Sequence, residues 1–118
     1  MGLWLSEEQK LLQDSIGGYL AGVSTVDKIR ETATGPEAMS KEIFDGLTEL
    51  GVNSVLIPEE HGGMGMTLLD AALIQEMIGR HAAPVPYLAN AGMAVVGLNE
   101  AGTAGRTEAL IPTIAHGQ

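Results

Sequence analysis

Residues 49–79 read ELGVNSVLIPEEHGGMGMTLLDAALIQEMIG. The fold turns on whether Gly62, Gly63 and Gly65 cradle a phosphate or turn the chain between helices. A Walker-type loop needs a lysine followed by serine or threonine in fixed register, and a dinucleotide fingerprint needs a preceding strand inside a βαβ unit. Neither surrounds these glycines. Glu59 and Glu60 stand just before them, and two carboxylates there would repel a phosphate. The stretch reads as a structural turn in which glycine serves positive φ. Behind it, Thr67 and Asp70 are spaced as a capping pair, and LLDAALIQEMIG is apolar on most sides, which predicts a central, largely buried helix over 68–80. Glu76 and Arg80, four apart, are expected to pair on its surface. Ahead of the turn, VNSVLIP is β-branched and closed by Pro58, and is expected to be an extended connector.

Toward the N-terminus, Ser6 and Gln9 form a capping box that predicts a helix start. Leu12, Ile16, Tyr19, Leu20 and Val23 follow at three- and four-residue steps on one face, and Gly17 with Gly18 is expected to permit close packing within that helix. Residues 24–35 show no clear period and read as a loop with a helical turn around Asp27 to Glu31. Pro36 suits a first helical position, so a helix is expected over 36–50 with Met39, Ile43, Leu47 and Leu50 as its stripe, Phe44 beside it, and Gly51 as its left-handed C-terminal residue. Toward the C-terminus, Pro84 and Pro86 interrupt the chain, and Leu88, Ala91, Val95 and Leu98 mark a further amphipathic helix up to Gly102. Thr103 is placed to cap a last segment with Leu110, Ile111 and Ile114, which Pro112 is expected to keep short. The pattern as a whole predicts an all-α fold, a compact orthogonal bundle of about five to six helices forming one domain over 1–118.

The chain has 118 residues, 45% of them hydrophobic, enough for one buried core. Six basic against 15 acidic side chains give a net charge of -9, which disfavours nucleic acid and anionic membrane surfaces as partners. Cysteine is absent, so disulfides, thiolate nucleophiles and zinc–thiolate sites are excluded. No export signal or membrane span is visible, and a soluble cytoplasmic chain is expected. His61, His81 and His116 lie far apart with no metal-ligand spacing, so no metal is expected. Glu59 and Glu60 read as a solvated acidic turn without a partner for acid–base work. Ser6 and Ser40 read as N-caps and Ser15 as a helix residue, so no catalytic serine is assigned.

The order of four segments adds a function. LSEEQKLLQDSIGGYL, IFDGLTELGVNSVLIPEEHGGMGMTLLDAALIQEMIG, APVPYLANAGMAVVGLNEAGT and ALIPTIAHGQ together resemble the N-terminal helical domain of the acyl-CoA dehydrogenases over essentially the whole chain. Residues 49–79 carry the most specific part: a helix ending in LG, a step to PEE, a GG-x-G turn, and a helix with an acidic residue near its end. The resemblance implies that a complete enzyme adds a middle β-domain and a C-terminal four-helix domain, which supply the flavin site and a glutamate base. That base removes the α-proton of an acyl-CoA thioester while the β-hydrogen leaves as hydride to FAD, as in β-oxidation of fatty acids or sterol side chains. Neither part lies within these residues. No catalytic or cofactor-binding residue is therefore expected here, no FAD is expected bound to this chain alone, and the isolated chain is expected to be inactive.

The same resemblance assigns one wall of the acyl pocket to Val85, Pro86, Leu88, Ala89, Gly92 and Met93, all apolar or small as an acyl chain requires. The paired prolines of APVP depart from the commoner family form and resemble members acting on bulky or branched acyl groups, sterol side chains included. Acyl-CoA would be the substrate of the complete enzyme. Val85, Leu88, Met93, Val95 and Val96 are expected to form a face exposed in the isolated chain, which would then self-associate or dock with the missing domains. Two other readings remain open at this point: the same domain of an acyl-CoA oxidase or flavin monooxygenase, and a non-catalytic helical binding module.

Overall fold

The computed structural model describes residues 4–118. Six α-helices carry the fold: α1 (Glu7–Val23), α2 (Val26–Thr34), α3 (Lys41–Glu49), α4 (Leu68–Arg80), α5 (Val95–Ala101, continuing a π-helical turn over Leu88–Ala94) and α6 (Ala104–Ala115). No strand occurs among the described residues. The fold class is all-α, as the periodicities predict.

The two capping boxes form where expected. Ser6 Oγ accepts from Gln9 N at 3.1 Å while Gln9 Oε1 accepts from Ser6 N at 3.0 Å. Thr67 Oγ1 accepts from Asp70 N, and Asp70 Oδ2 accepts from both Thr67 N and Thr67 Oγ1 at 2.8 Å. Such caps satisfy amides that the first helical turn leaves free, each contributing about 1 kcal/mol. The helices they start, α1 and α4, lie side by side and parallel. Gln9 Nε2 donates to Asp70 Oδ1, Gln13 Nε2 to the Leu73 carbonyl, and Ser24 Oγ to the His81 carbonyl, so contacts advance along both helices in the same direction. Gly17 faces this seam: a Cβ there would come within 2.7 Å of Met77 Cε. Gly18, by contrast, would meet nothing within 4 Å, so only one of the glycine pair serves close packing. Glu76 and Arg80 form no ion pair; Glu76 Oε2 instead accepts from Gln13 Nε2 of α1 at 3.3 Å.

Two apolar clusters fill the interior. The larger joins Ile16 and Leu20 of α1, Ile43 and Leu47 of α3, and Ile74 and Ile78 of α4 with Val52 and Val55. The smaller consists of Ile57, Val95, Ile111 and Ile114, and Leu56 packs against both. This explains why VNSVLIP is not the extended connector its β-branched residues suggest. Val52–Ser54 is a 3₁₀ turn, Val55 is right-handed helical, and Val52, Asn53, Val55 and Ile57 are buried. The segment coils inward to supply both clusters, and tertiary burial overrides its β-propensity.

Three further expectations are corrected. Residues 26–34 form a true helix, capped by Thr25 Oγ1 accepting from Lys28 N at 3.2 Å. It buries no residue and is braced by Lys28 with Glu31 and Glu42 and by Arg30 with Asp27. The next helix begins at Lys41 rather than Pro36; Ser40 caps it, and Ser40 N donates to the Pro84 carbonyl at 2.8 Å. That bond ties the cap residue Ser40 to a neighbouring segment. Finally, α6 runs through Pro112. The missing amide falls in its last turns on an exposed stretch, where water can serve the carbonyl left without a donor. The domain is flattened, 43 × 40 × 19 Å with a radius of gyration of 14.7 Å, against about 13.5 Å for a typical compact chain of this length. Its short dimension accommodates about two helix layers.

Candidate functional site

The glycine turn is on the surface, and its backbone leaves nothing for an anion. The amides of His61 and Gly63 donate to the Pro58 carbonyl, Gly62 to Glu59, Met64 to Ser54, Gly65 to Ile57, and Met66 to Val55, all at 2.8–3.1 Å. Phosphate cradles work by aiming free amides at the ligand; here all six are consumed internally. Gly62 and Gly65 take φ of 81° and 58°, and a Cβ at Gly63 would fall on the Ile57 carbonyl oxygen. The glycines let the chain double back on itself.

The segment after α4 is set by backbone constraints. Ala82 takes a left-handed φ of 46°, Ala83 N returns to the Ile78 carbonyl, and Pro84 is held by Ser40. Tyr87 follows, buried in the larger cluster. Its hydroxyl has no hydrogen-bond partner among the described residues, and burial pushes its phenol well above the ordinary value. From Leu88 to Ala94 the helix widens into a π turn, a feature often found at functional sites.

Of the six residues assigned to the acyl wall, four point outward. Pro86 and Ala89 are exposed, Leu88 is 58% exposed and Met93 67%. Val85 is half-buried against the larger cluster, and Gly92 is buried, so these two support the wall from behind. The wider face expected to be exposed needs correction at Val95, which is 0% exposed and sits at the centre of the smaller cluster. Val96 stays outward at 42%. Val95 thus keeps the inward place that its spacing from Ala91 predicts, while Leu88, first in the π turn, leaves that stripe and faces outward. Nothing in the run LANAGMA announces this widening.

Beside the wall lies a shallow concavity of about 410 Å³ that sequence periodicity did not indicate. Met39 lies just before the Ser40 cap of α3 and Phe44 in its first turn, Pro86 and Ala89 come from the wall with Asn90 beside them, and Gly117 and Gln118 lie at one end. None of these side chains is ionisable. The Ser40–Pro84 bond sets its width, because it ties the residue after Met39 to the proline two before Pro86.

Titratable groups do not converge on this region. Among the described residues no three His, Asp or Glu side chains are grouped as a metal site would require. Asp70 is the notable buried carboxylate: desolvation alone would raise its pKa, but hydrogen bonds from the Thr67 backbone, the Thr67 hydroxyl and Gln9 together outweigh that and hold it below the ordinary value. Its role is to cap α4 and tie it to α1. No helix of the described residues is long and apolar enough to cross a membrane.

Comparison with known proteins agrees with this architecture. Residues 6–118 match the family model described as the acyl-CoA dehydrogenase N-terminal domain. Acyl-CoA dehydrogenase IpdE2 of Mycolicibacterium smegmatis is 29% identical over 85 residues, covering 71% of this chain and 27% of that protein. The mitochondrial very long-chain specific acyl-CoA dehydrogenase of Mus musculus is 30% identical over 118 residues, covering 97% of this chain and 18% of that protein. A solved structure, the Tcur3481-Tcur3483 steroid ACAD, superposes with a TM-score of 0.86 at 29% identity, covering 94% of this chain and 30% of that one. The chain thus spans less than a third of the relatives it matches. With the family model matched along nearly its whole length and the helical fold in agreement, the chain belongs to the acyl-CoA dehydrogenase family, as its N-terminal helical domain.

Proposed function

We propose that this chain forms one wall of the acyl pocket in a FAD-dependent enzyme that desaturates a bulky acyl-CoA thioester between its α and β carbons, and that it has no activity alone. The observation carrying this reading is the outward strip of Pro86, Leu88, Ala89 and Met93 on a domain about two helix layers thick. Large apolar side chains exposed together usually mark a binding surface. Their work is to exclude water and shape the space around a hydrocarbon; they offer no proton acceptor. A bulky or sterol-derived acyl group is supported by the APVP step and by the similarity to a protein described as a steroid ACAD. In the complete enzyme FAD would accept the hydride. The residues of this chain do not fit that cofactor's phosphates, because the glycine turn has spent its amides, so no step through FAD is derived from them. The same reading places the protein in the cytoplasm and gives it acyl-CoA as substrate only together with the flavin-binding and base-bearing parts.

The test compares residues 1–118 alone with the same residues joined to, or mixed with, those parts, following acyl-CoA-dependent reduction of an artificial electron acceptor. Alone, the chain should emerge flavin-free from gel filtration and show no turnover. In the assembled enzyme Met93→Glu should raise KM for the acyl-CoA at least about tenfold, the effect of setting a charge in an apolar wall, while flavin content stays unchanged. Turnover or retained flavin in the isolated chain would refute the reading, as would a Met93→Glu enzyme with unaltered KM. Stoichiometric hydrogen peroxide formation would identify an oxidase instead.

A further inference from the structure

Helix α2 differs from the other α-helices in what holds it. It buries no residue, and neither apolar cluster includes one of its side chains. Among the described residues, the hydrogen bonds of Thr25 to Gly35 all close within that stretch. The Lys28–Glu31 and Asp27–Arg30 pairs are internal to the helix as well. One ion pair among the described residues crosses to the body: Lys28 Nζ lies 2.9 Å from a carboxylate oxygen of Glu42 in α3. Isolated helices shorter than about 12 residues are marginal in water, and α2 has nine. Release from α3 and melting of α2 are therefore one event.

The flanks of this segment are pinned. Ser24 Oγ donates to the His81 carbonyl at 2.9 Å, and Ser40 N donates to the Pro84 carbonyl at 2.8 Å. Both posts stand on the turn over 81–84 at the end of α4, so 25–39 leaves and returns to one place, in the manner of an Ω-loop. The segment is undercut on two sides. A hollow of about 550 Å³ runs between α2 and the start of α3, and another of about 440 Å³ separates the end of α2 from Pro84. Thr32, Gly35, Pro36 and Glu37 line both. Elements with few buried contacts open at the low end of a protein's stability range. An exposed ion pair shifts an equilibrium by about two- to five-fold. For a buried helix that is negligible, but for α2 no burial outweighs it.

We propose that segment 25–39 is an ionic strap, an order–disorder element pinned beside Ser24 and Ser40 and fastened to α3 by the Lys28–Glu42 pair. Loss of that pair melts α2 and uncovers the outer side of the 81–84 turn. Ionic strength, or any change that removes the Lys28 or Glu42 charge, sets the balance between the two states. The device is independent of the acyl-wall reading.

Native-state hydrogen exchange of the isotope-labelled chain, read by NMR, tests it. In low salt the amides of Arg30 to Thr34 should exchange at least about a hundred-fold faster than those of Ile74 and Ile78 in α4. Glu42→Gln leaves α2 itself unaltered, yet should speed its exchange about two- to five-fold further, as should Lys28→Gln. Raising sodium chloride to about 0.5 M should do the same to the wild type and have no added effect on Glu42→Gln. Through all of this the α4 amides should keep their rates. Lys41→Gln, which breaks the Lys41–Asp45 pair within α3, should leave α2 as in the wild type. The signals of Ala82 and Ala83 should move in step with release, and trypsin should cut after Arg30 faster in Glu42→Gln than in the wild type. Exchange of α2 at the rate of α4 would overturn the proposal, since the helix would then open only with the whole fold. Equal acceleration by Lys41→Gln would also overturn it, because net charge rather than the pair would be responsible. So would an α2 indifferent to Glu42→Gln, or a turn whose signals stay fixed while α2 melts.

Discussion

A methyl group at position 63 would fall on the carbonyl oxygen of Ile57, whereas one at position 18 would meet nothing within 4 Å. The two glycines should respond oppositely to the same substitution. Gly63→Ala should destabilise the chain by at least about 2 kcal/mol, since the obstacle is backbone that cannot rotate away. Gly18→Ala, in mid-helix and open space, should stabilise it by about 0.5–1 kcal/mol through lost unfolded-state freedom. Urea unfolding of both variants checks this, and a neutral Gly63→Ala would mean that the turn is looser than its six internal amide bonds imply. The sequence did disclose this turn's nature, because Glu59 and Glu60 and the missing lysine spoke against phosphate. It could not separate Gly17 from Gly18, because only the position of Met77 across the α1–α4 seam tells them apart. Val95 was misplaced for a different reason: its place on an exposed face came from the expectation of missing domains, whereas its four-residue spacing from Ala91 already set it inward, and the structure buries both. What periodicity missed is Leu88, which stands at the start of the π turn and faces outward.

Among the elements, α1 and α4 were legible because each begins with a capping box, followed in α1 by a one-sided apolar stripe and in α4 by a run apolar on most sides. Helix α2 was not: it buries nothing, so no apolar stripe marks it, and its support from Thr25 and from surface ion pairs is local and weak. The start of α3 was hidden by Pro36, a good first-turn residue that a tertiary bond from Ser40 to Pro84 overrules. The α4 cap makes a pH prediction. Asp70 has its folded pKa lowered, so its ionised form is favoured by folding; the stability it contributes is fully present above the unfolded value near 3.8 and is lost as pH falls through the lower folded value. Wild-type chain should therefore lose stability below about pH 4 more steeply than Asp70→Asn, which in turn should be less stable at pH 7 by about 1 kcal/mol. Denaturant midpoints measured between pH 2.5 and 7 decide it. Parallel pH profiles for the two proteins would show that the Thr67–Asp70–Gln9 bonds do not favour the ionised form.

At the scale of the whole molecule, the flattened shape and the outward Leu88, Met93 and Val96 fit a domain that other structure normally covers. The isolated chain should self-associate at micromolar concentration, because contact between apolar surfaces is short-ranged while the repulsion of a -9 charge is screened beyond about 8 Å at physiological salt. Sedimentation velocity should show association that strengthens with salt and is lost in Leu88→Asp or Met93→Asp. Val95→Asp is no control for this, since a carboxylate at a 0% exposed site would disrupt the fold itself. A wild type that stays monomeric at all salt concentrations would show the strip to be inert in the isolated chain. The family was readable from the order of the segments. The groove beside the wall was not, because Met39 and Asn90 are brought together only by the tertiary fold. The central claim, that the strip from Pro86 to Met93 lines the acyl pocket, is tested most directly by photocrosslinking the assembled enzyme with an acyl-CoA that carries a diazirine on its acyl chain. Peptide mapping should place the adducts within this chain on Leu88, Ala89 and Met93; adducts confined to α1 and α2, or none on this chain at all, would contradict the account.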